Sequence, residues 1–256
     1  MIFKEYVCPS TLAEAYETLW SHPGSVLLGG CTLLRRNTRT SPLGIDLGGL
    51  GLNQITKTGT DLILGASVSL REMETSCGDL FDGALCKAVS ALGGIPLRNV
   101  ITVGGTVASR FGTSDLLTVL LALDTRLQFY HSGLCTLEEY LNMPPLRDIL
   151  TEIHIPLGCS RIAFQSMRNA CTDYALLNAA AADTACGLRI AVGARPMAAA
   201  LSEAAADCIN RGGTPAQAAE ASAAELKFAD NHRAGGAYRR ELCLVLVERA
   251  LKEAGI

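Results

Sequence analysis

Two Gly-Gly pairs, each directly after a short apolar run, constrain this chain more than any other feature. The first is Gly29-Gly30 in SVLLGGCTLLRR, and the second is Gly104-Gly105 in LRNVITVGGTVASRFGTSD. Glycine weakens the interior of a strand, and it usually marks a sharp turn or the close approach of the backbone to another group. The pattern therefore predicts two buried strands that each end in a turn of bare backbone.

Consecutive N–H groups in a glycine-rich turn form a concave donor site, and the missing side chains let a phosphate approach closely. Two such turns would suit a diphosphate, with hydroxyls from Thr32 beside the first and from Thr102 and Thr106 beside the second. Neither turn has a Walker sequence or the spacing of a Rossmann turn, and each pair alone is compatible with a tight turn that binds nothing. Asp115 can accept hydrogen bonds from sugar hydroxyls, or it can cap the helix that follows.

The composition excludes several classes of function. With 49% hydrophobic and 18% charged residues, the 256-residue chain can bury a large core. Its formal net charge is −3 and it has no dense basic block, which argues against nucleic acid or an anionic membrane as the main partner. We expect a cytoplasmic protein, because no signal peptide or long apolar run is visible. The ten cysteines are scattered without C-x-x-C spacing, so we assign no metal ligand, and the four dispersed histidines nominate no catalytic base.

The first half of the chain alternates strand and helix patterns. Residues 11–14 and 69–72 have the capping-box pattern, which predicts helix starts at both places. SVLLGG, GIDLGG and DLILGASVSL are typical of short strands. LFDGALCKAVSAL predicts a helix that ends at Gly93-Gly94, and LLTVLLALDTRLQFY predicts a helix to about Ala122 followed by a strand.

A strand ends near IHIPLGCSR, where Pro156 and Gly158 close it and a new segment begins, and we place a domain boundary there. Beyond it, the alanine-rich segment YALLNAAAAD predicts a helix, because alanine has the highest helix propensity and its neighbours recur at helical spacing. LRIAVGA predicts a strand. After this strand, three helices are predicted: 197–210, about 215–227 and 237–254. The last of these helices is expected to turn Arg239 towards solvent. The order of elements indicates an α+β chain of two domains.

These motifs together resemble the FAD-binding medium subunit of the molybdenum hydroxylases, the family of xanthine dehydrogenase and carbon monoxide dehydrogenase. The first family loop, V-A-G-G-T-D-L, is matched by LLGGCTL, and the second, R-N-x-x-T-I-G-G-N, is matched by RNVITVGGT. An aspartate and the segment LLALDT follow the second loop, as in the family. LTEIHIP and AGGAYRRELCLVLVERAL match two later motifs, so the similarity runs from the first helix to the last.

The resemblance implies an α+β fold with a PCMH-type FAD-binding domain of two subdomains over residues 1–157. A C-terminal α/β domain over residues 158–256 would close over the flavin, as in carbon monoxide dehydrogenase flavoproteins. The implied activity is that of an oxidoreductase subunit, which passes electrons from the [2Fe–2S] centres of a small subunit to FAD and on to NAD or another acceptor. A molybdopterin-binding large subunit would oxidise the substrate. The alternative is a flavin-free assembly subunit of such a complex.

The resemblance also implies which residues bind FAD. Asp115 would hold the ribose or ribityl region, and Gln165 stands where the family has a lysine at the pyrimidine edge, with Arg168 as the other candidate for that charge. Cys31-Thr32 replaces the family's Thr-Asp, and Arg98 and Asn99 are expected to fix the approach to the second loop. The implied cofactor-binding residues are Val26, Leu27, Leu28, Gly29, Gly30, Cys31, Thr32 and Leu33 in the first loop, Thr102, Val103, Gly104, Gly105 and Thr106 in the second, Leu92 and Leu150 near the rings, and Asp115 and Gln165. No catalytic residue is assigned.

Overall fold

The computed structural model describes residues 1–256, the side chain of Arg36 apart. At the N-terminus, the helix α1 (Leu12–Ser21) packs on a parallel sheet of order β1-β3-β2, formed by β1 (Ile2–Val7), β2 (Val26–Leu28) and β3 (Thr40–Asp46). Thr11 caps α1 as predicted, because its hydroxyl accepts from the Glu14 N–H at 3.1 Å. The Glu14 carboxylate returns a bond to the N–H of Ser10, one residue before the cap.

The second sheet is antiparallel and has the order β4-β5-β8-β6-β7. Its strands are β4 (Ile55–Lys57), β5 (Asp61–Gly65), β6 (Arg126–Phe129), β7 (Gly133–Thr136) and β8 (Leu150–Pro156). Six helices accompany it: α2 (Leu70–Ser76), α3 (Ala84–Ser90), α4 (Ile95–Arg98), α5 (Val103–Ser109), α6 (Asp115–Ala122) and α7 (Leu137–Asn142). The predicted capping box of α2 is confirmed, because Ser69 and Glu72 form both of its hydrogen bonds, at 2.8 and 3.1 Å.

The strand predicted before the second glycine pair is wrong. Pro96 lies in the first turn of α4, where a residue without an N–H is tolerated, so this apolar run begins as a helix. A turn then leads straight into α5, whose first turn contains Gly104 and Gly105. The first pair is as predicted, since β2 ends at Leu28 and Gly29-Gly30 follow it.

The helix predicted over LFDGALCKAVSAL is shorter than expected. Phe81, Asp82 and Gly83 have φ values of 54°, 50° and 72°, which an α-helix does not allow, so α3 starts only at Ala84. The Asp82 carboxylate accepts the N–H of Ile162 at 2.9 Å. The break in the helix therefore connects this region to the third sheet.

The third sheet overturns the helix predicted for the alanine run. The sheet is antiparallel, with the order β12-β11-β10-β9, and consists of β9 (Arg161–Met167), β10 (Leu177–Thr184), β11 (Gly187–Gly193) and β12 (Ala200–Leu201). The alanines lie in β10, where Ala180 and Ala182 face one core and Ala179 and Ala181 face another. Burial on both faces of a central strand outweighs the helix propensity of alanine, which is a weak preference.

Three helices complete the chain: α8 (Glu203–Asn210), α9 (Pro215–Glu225) and α10 (Gly236–Ala254). The helix predicted from residue 197 begins only at Glu203, because β12 precedes it and Ser202 caps it. The prediction that Arg239 faces solvent is wrong, since this residue is fully buried. Its guanidinium donates to the carbonyls of Leu176 and Ala194, which lie next to the adjoining ends of β10 and β11, and to Asn231 Oδ1.

The largest apolar core joins both sides of the proposed boundary at residue 157. Ile162, Phe164 and Ala180 of the third sheet belong to the same buried cluster as Leu116 and Leu120 of α6. The division into 1–157 and 158–256 therefore stays a prediction. No helix in the described chain has both the length and the apolar character needed to cross a membrane.

Candidate functional site

A cavity of about 450 Å³ lies where the loop after β2 meets α4, α5 and the turn 111–114. Its volume falls within the range of about 300–1,000 Å³ that is typical of small-molecule and cofactor sites. Of the residues predicted from the sequence, the wall includes Leu27, Gly29, Gly30, Cys31, Thr32, Leu33, Leu92, Thr102, Gly105 and Thr106.

The other predicted residues do not line this cavity. Leu28, Val103 and Leu150 are buried in apolar cores, Val26 lies within β2, and Gly104 is covered by Ala66. Gln165 on β9 donates its side-chain amide to the Glu253 carboxylate of α10. Asp115 is bonded within the protein, as described below. The predicted residues outside the wall are Val26, Leu28, Val103, Gly104, Asp115, Leu150 and Gln165.

The loop after β2 presents a row of backbone donors. None of the N–H groups from Gly29 to Leu33 donates to an acceptor in the part of the chain that the structure describes. Cys31 has a φ of 56°, and such a left-handed residue in a turn lets successive N–H groups converge on one point. Partial burial of the thiol, and then the nearby Asp46 carboxylate, raise the pKa of Cys31, which favours the neutral thiol. The arrangement suits an anion.

The first glycine pair is required by contact with the protein itself. A Cβ on Gly30 would lie 1.8 Å from the carbonyl oxygen of Val100, and a Cβ on Gly29 would lie 3.0 Å from Thr102 Oγ1. These glycines let the loop pack directly against the turn that leads into α5. The bare backbone therefore brings the two predicted loops together.

The second glycine pair does not present unpaired donors, contrary to the expectation from the sequence. The N–H groups of Val103 and Gly104 donate to the carbonyls of Val68 and Ala66, at 2.8 and 2.9 Å. The N–H of Gly105 donates to Thr102 Oγ1 at 3.0 Å. A Cβ on Gly104 would lie 2.6 Å from both Cβ and the carbonyl oxygen of Ala66, so this glycine is a packing residue.

We expect Gly104→Ala and Gly105→Ala to differ sharply in stability. The added methyl at Gly104 meets backbone and should lower the free energy of unfolding by about 2–3 kcal/mol, as overpacking of a core does. At Gly105 it meets only the Thr102 hydroxyl at 2.8 Å, and the better helix propensity of alanine offsets this contact to within about 1 kcal/mol. Urea unfolding of both variants measures the difference. Equal losses would contradict this account.

Asp115 belongs to a buried polar network. It is 3% exposed, and its carboxylate accepts from Arg168 at 2.7 Å and from the Asn178 amide at 2.6 Å. Burial raises the pKa of Asp115, against the lowering effect of Arg168. Ser114, and not Asp115, caps α6 by accepting from the Leu117 N–H at 3.3 Å. Both carboxylate oxygens of Asp115 therefore have protein partners. These contacts are neither those of a helix cap nor those of a sugar ligand, the two roles considered from the sequence.

Arg168 forms its other hydrogen bonds within the same buried network. It also donates to Ser166 Oγ and to the carbonyl of Asp173, both at 2.9 Å. Arg98 lies outside the cavity wall and binds Glu74, with further bonds from its guanidinium to the carbonyls of Ser90 and Gly93. These bonds fix the end of α4, and the role predicted for Arg98 and Asn99 in the approach to the second loop stays a prediction.

Sequence reasoning missed an aromatic part of the wall. The rings of Phe111 and Tyr174 meet edge to face, with centroids 5.2 Å apart, and both line the cavity. Arg233 lies 5.1 Å from the Tyr174 ring and pairs with Asp173. No spacing connects Phe111 with Tyr174 in the sequence, so only the fold reveals the pair. The remaining wall residues that were not predicted are Leu34, Leu97, Ile101, Ala108, Ser109, Thr113 and Ser114. Within the described residues, no group of three or more His, Cys, Asp or Glu side chains could hold a metal ion.

Sequence comparison identifies relatives of the chain. Residues 2–158 match the family described as "FAD binding domain in molybdopterin dehydrogenase". The uncharacterized protein YgfM of Escherichia coli K12 is 31% identical over 157 residues, which are 60% of each chain. The xanthine dehydrogenase FAD-binding subunit of E. coli O157:H7 is 31% identical over 50% of this chain and 46% of its own length. Aldehyde oxidase 3 of Mus musculus is 31% identical over 45% of this chain, and this match spans 10% of that protein.

Solved structures with the same fold cover the whole chain. A chain of carbon monoxide dehydrogenase from Hydrogenophaga pseudoflava superposes with a TM-score of 0.88 and 21% identity, over 100% of this chain and 98% of that one. A chain of quinoline 2-oxidoreductase from Pseudomonas putida 86 gives 0.86 and 21%, with the same coverage. These matches confirm the predicted α+β fold. Because the family match spans more than half of its residues, the chain belongs to the family of FAD-binding domains in molybdopterin dehydrogenases, and it is homologous to flavoprotein subunits of molybdenum oxidoreductases.

Proposed function

We propose that this chain binds FAD in the cavity beside β2 and acts as the electron-transfer flavoprotein of a molybdenum hydroxylase complex. The observation that carries the proposal is the row of unpaired N–H groups from Gly29 to Leu33 at the wall of a cavity of cofactor size. Family membership supports FAD over other anionic ligands. The named relatives include a xanthine dehydrogenase FAD-binding subunit, which supports a role as one subunit among several.

The residues present fit such a cofactor. A diphosphate needs several convergent donors, and the first loop offers a row of unpaired N–H groups at the cavity wall. The planar rings of a dinucleotide need apolar walls, and Leu92, Leu97 and the Phe111–Tyr174 pair offer them. The described wall carries no ionised side chain that would repel a phosphate.

The residues of the chain would hold the cofactor and tune its surroundings. The N–H groups of residues 29–33 would donate to the diphosphate oxygens, and Thr32 and Thr106 would offer hydroxyls beside them. Phe111 and Tyr174 would exclude water from one end of the cavity. FAD bound there would supply the redox chemistry that an electron outlet requires, with uptake of single electrons and release of a pair. We further propose a [2Fe–2S] small subunit as the electron donor, a molybdopterin-binding large subunit as the site of substrate oxidation, and NAD or another acceptor as the outlet.

Titration of the purified full-length chain with FAD tests the proposal. We expect one equivalent to bind, with quenching of the flavin fluorescence and a shifted visible absorbance band. FMN should bind more weakly, because it lacks the second phosphate that the donor row can take. A folded chain that takes up no FAD would contradict the proposal and would favour the alternative, a flavin-free assembly subunit.

A further inference from the structure

Thr113 lies at the wall of the cavity, and its hydroxyl is unpaired and covered by neighbouring atoms. Its Oγ1 atom is buried, yet it has no hydrogen-bond partner among the described residues. The two serines near it on the same wall are both bonded within the protein. Ser109 Oγ donates to the carbonyl of Thr106 at 2.7 Å, and Ser114 Oγ accepts from the N–H of Leu117 at 3.3 Å. Thr113 therefore differs from both serines, because its hydroxyl forms no hydrogen bond with the described residues.

Hydrogen bonds and close packing hold the backbone on both sides of Thr113. The carbonyl of Gly112 accepts from the N–H of Ala194 at 2.9 Å, and the carbonyl of Phe111 accepts from the N–H of Ser114 at 3.0 Å. A Cβ on Gly112 would lie 2.7 Å from the carbonyl oxygen of Pro196, which shows how closely the turn packs. The hydroxyl can therefore change direction by rotation about χ1, from one staggered position to another.

Proteins pair nearly all of their buried polar groups, so an orphaned hydroxyl in a cavity wall indicates a partner that arrives with a ligand. We propose that the Thr113 hydroxyl, turned into the cavity by rotation about χ1, forms a hydrogen bond with bound FAD, a contact that rests on the proposed function of this cavity. Phe111, whose ring meets that of Tyr174, belongs to the same turn as Thr113, whereas the proposed phosphate donors lie on the loop after β2. The bonded atom is therefore a ring-edge heteroatom or a sugar-alcohol hydroxyl, and not a phosphate oxygen.

The test compares Thr113→Val, which keeps the shape and removes the hydroxyl, with Thr113→Ser, which keeps the hydroxyl. Titration of the full-length chain should show FAD binding weakened about 5- to 10-fold by valine, the loss of one hydrogen bond, and altered by less than about 2-fold by serine. Without flavin, the valine variant should melt at the same or a higher temperature than the wild type, because a methyl group replaces an unpaired buried hydroxyl. Riboflavin and AMP, titrated separately, assign the contact to one half of FAD, since only the half that carries the bonded atom should show the loss.

The outcomes separate this inference from the proposed function. If the wild-type chain binds FAD and the valine variant binds it equally well, the Thr113 hydroxyl makes no contact with FAD and the proposal fails. If serine weakens binding as much as valine does, the effect comes from packing, and the proposal also fails. A wild-type chain that does not bind FAD would instead contradict the proposed function itself.

Discussion

Replacing Cys31 by valine is expected to weaken FAD binding by at least about 100-fold, whereas replacing it by glycine should leave the affinity within about 3-fold. Cys31 has a φ of 56°, a region that a β-branched residue strongly disfavours and that glycine enters freely. Valine should therefore force the loop into another backbone conformation, in which the N–H groups of residues 29–33 no longer converge. A hydrogen bond to a charged group contributes about 1.5–3 kcal/mol, so the loss of two such bonds accounts for the expected change.

The pair of variants isolates the backbone from the side chain. Both remove the thiol, so a loss seen with valine and not with glycine cannot come from the sulfur atom. Fluorescence titration measures the affinity, and thermal unfolding monitored by circular dichroism shows whether each variant is folded. If the folded valine variant bound FAD as tightly as the wild type, the loop after β2 would not hold the cofactor.

Local patterns in the sequence predicted the elements that local interactions determine. The caps at Thr11 and Ser69 depend on residues three positions away, and both are present in the structure. The first glycine pair follows a strand because β2 and its turn are consecutive in the chain. The family resemblance, which drew on motifs along the whole chain, led to the correct fold.

Interactions between distant segments explain what the sequence did not reveal. The alanines of 179–182 form a strand because β9 and β11 pair with it and two cores cover its faces, and no local signal reports such neighbours. The donors of Val103 and Gly104 are used by the carbonyls of Val68 and Ala66, more than thirty residues earlier. The second glycine pair was therefore predicted to form a phosphate-binding loop, whereas in the fold its backbone N–H groups form hydrogen bonds within the protein.

Asp115 shows the same limit for a single side chain. Its place after the second glycine pair is compatible with a sugar ligand, a helix cap or an ion pair, and only the position of Arg168 after β9 decides between them. Tyr174, in contrast, was not predicted as a site residue but lies at the cavity wall. Nothing in its sequence surroundings indicates a ligand, yet the third sheet brings it against Phe111 at the cavity.

Arg168→Met should cause one of the largest losses of stability available to a single substitution here. The Arg168 and Asp115 side chains are only 12% and 4% exposed, so the variant leaves a buried carboxylate without its counter-charge. Breaking one side of a buried ion pair typically costs about 3–5 kcal/mol. Arg161→Met is a matched control, because Arg161 and Asp183 are 50% and 40% exposed, and an exposed pair contributes about 1 kcal/mol or less. Urea unfolding of the flavin-free chain measures both losses.

The pH dependence of the Arg168→Met defect identifies its cause. Burial already raises the pKa of Asp115, and removing Arg168 takes away the main effect that lowers it, so the folded-state pKa should rise further above the unfolded value of about 3.9. A group with a raised folded pKa favours the fold below its unfolded pKa and loses that contribution as pH rises through the folded pKa. The stability deficit should therefore be smallest near about pH 4 and grow to its full size as Asp115 ionises. Adding Asp115→Asn should abolish this pH dependence and recover most of the loss, because a neutral amide needs no counter-charge. A deficit that is equal at every pH, or that persists in the double variant, would mean that Arg168 stabilises the third sheet through Ser166 and Asp173 and not through Asp115.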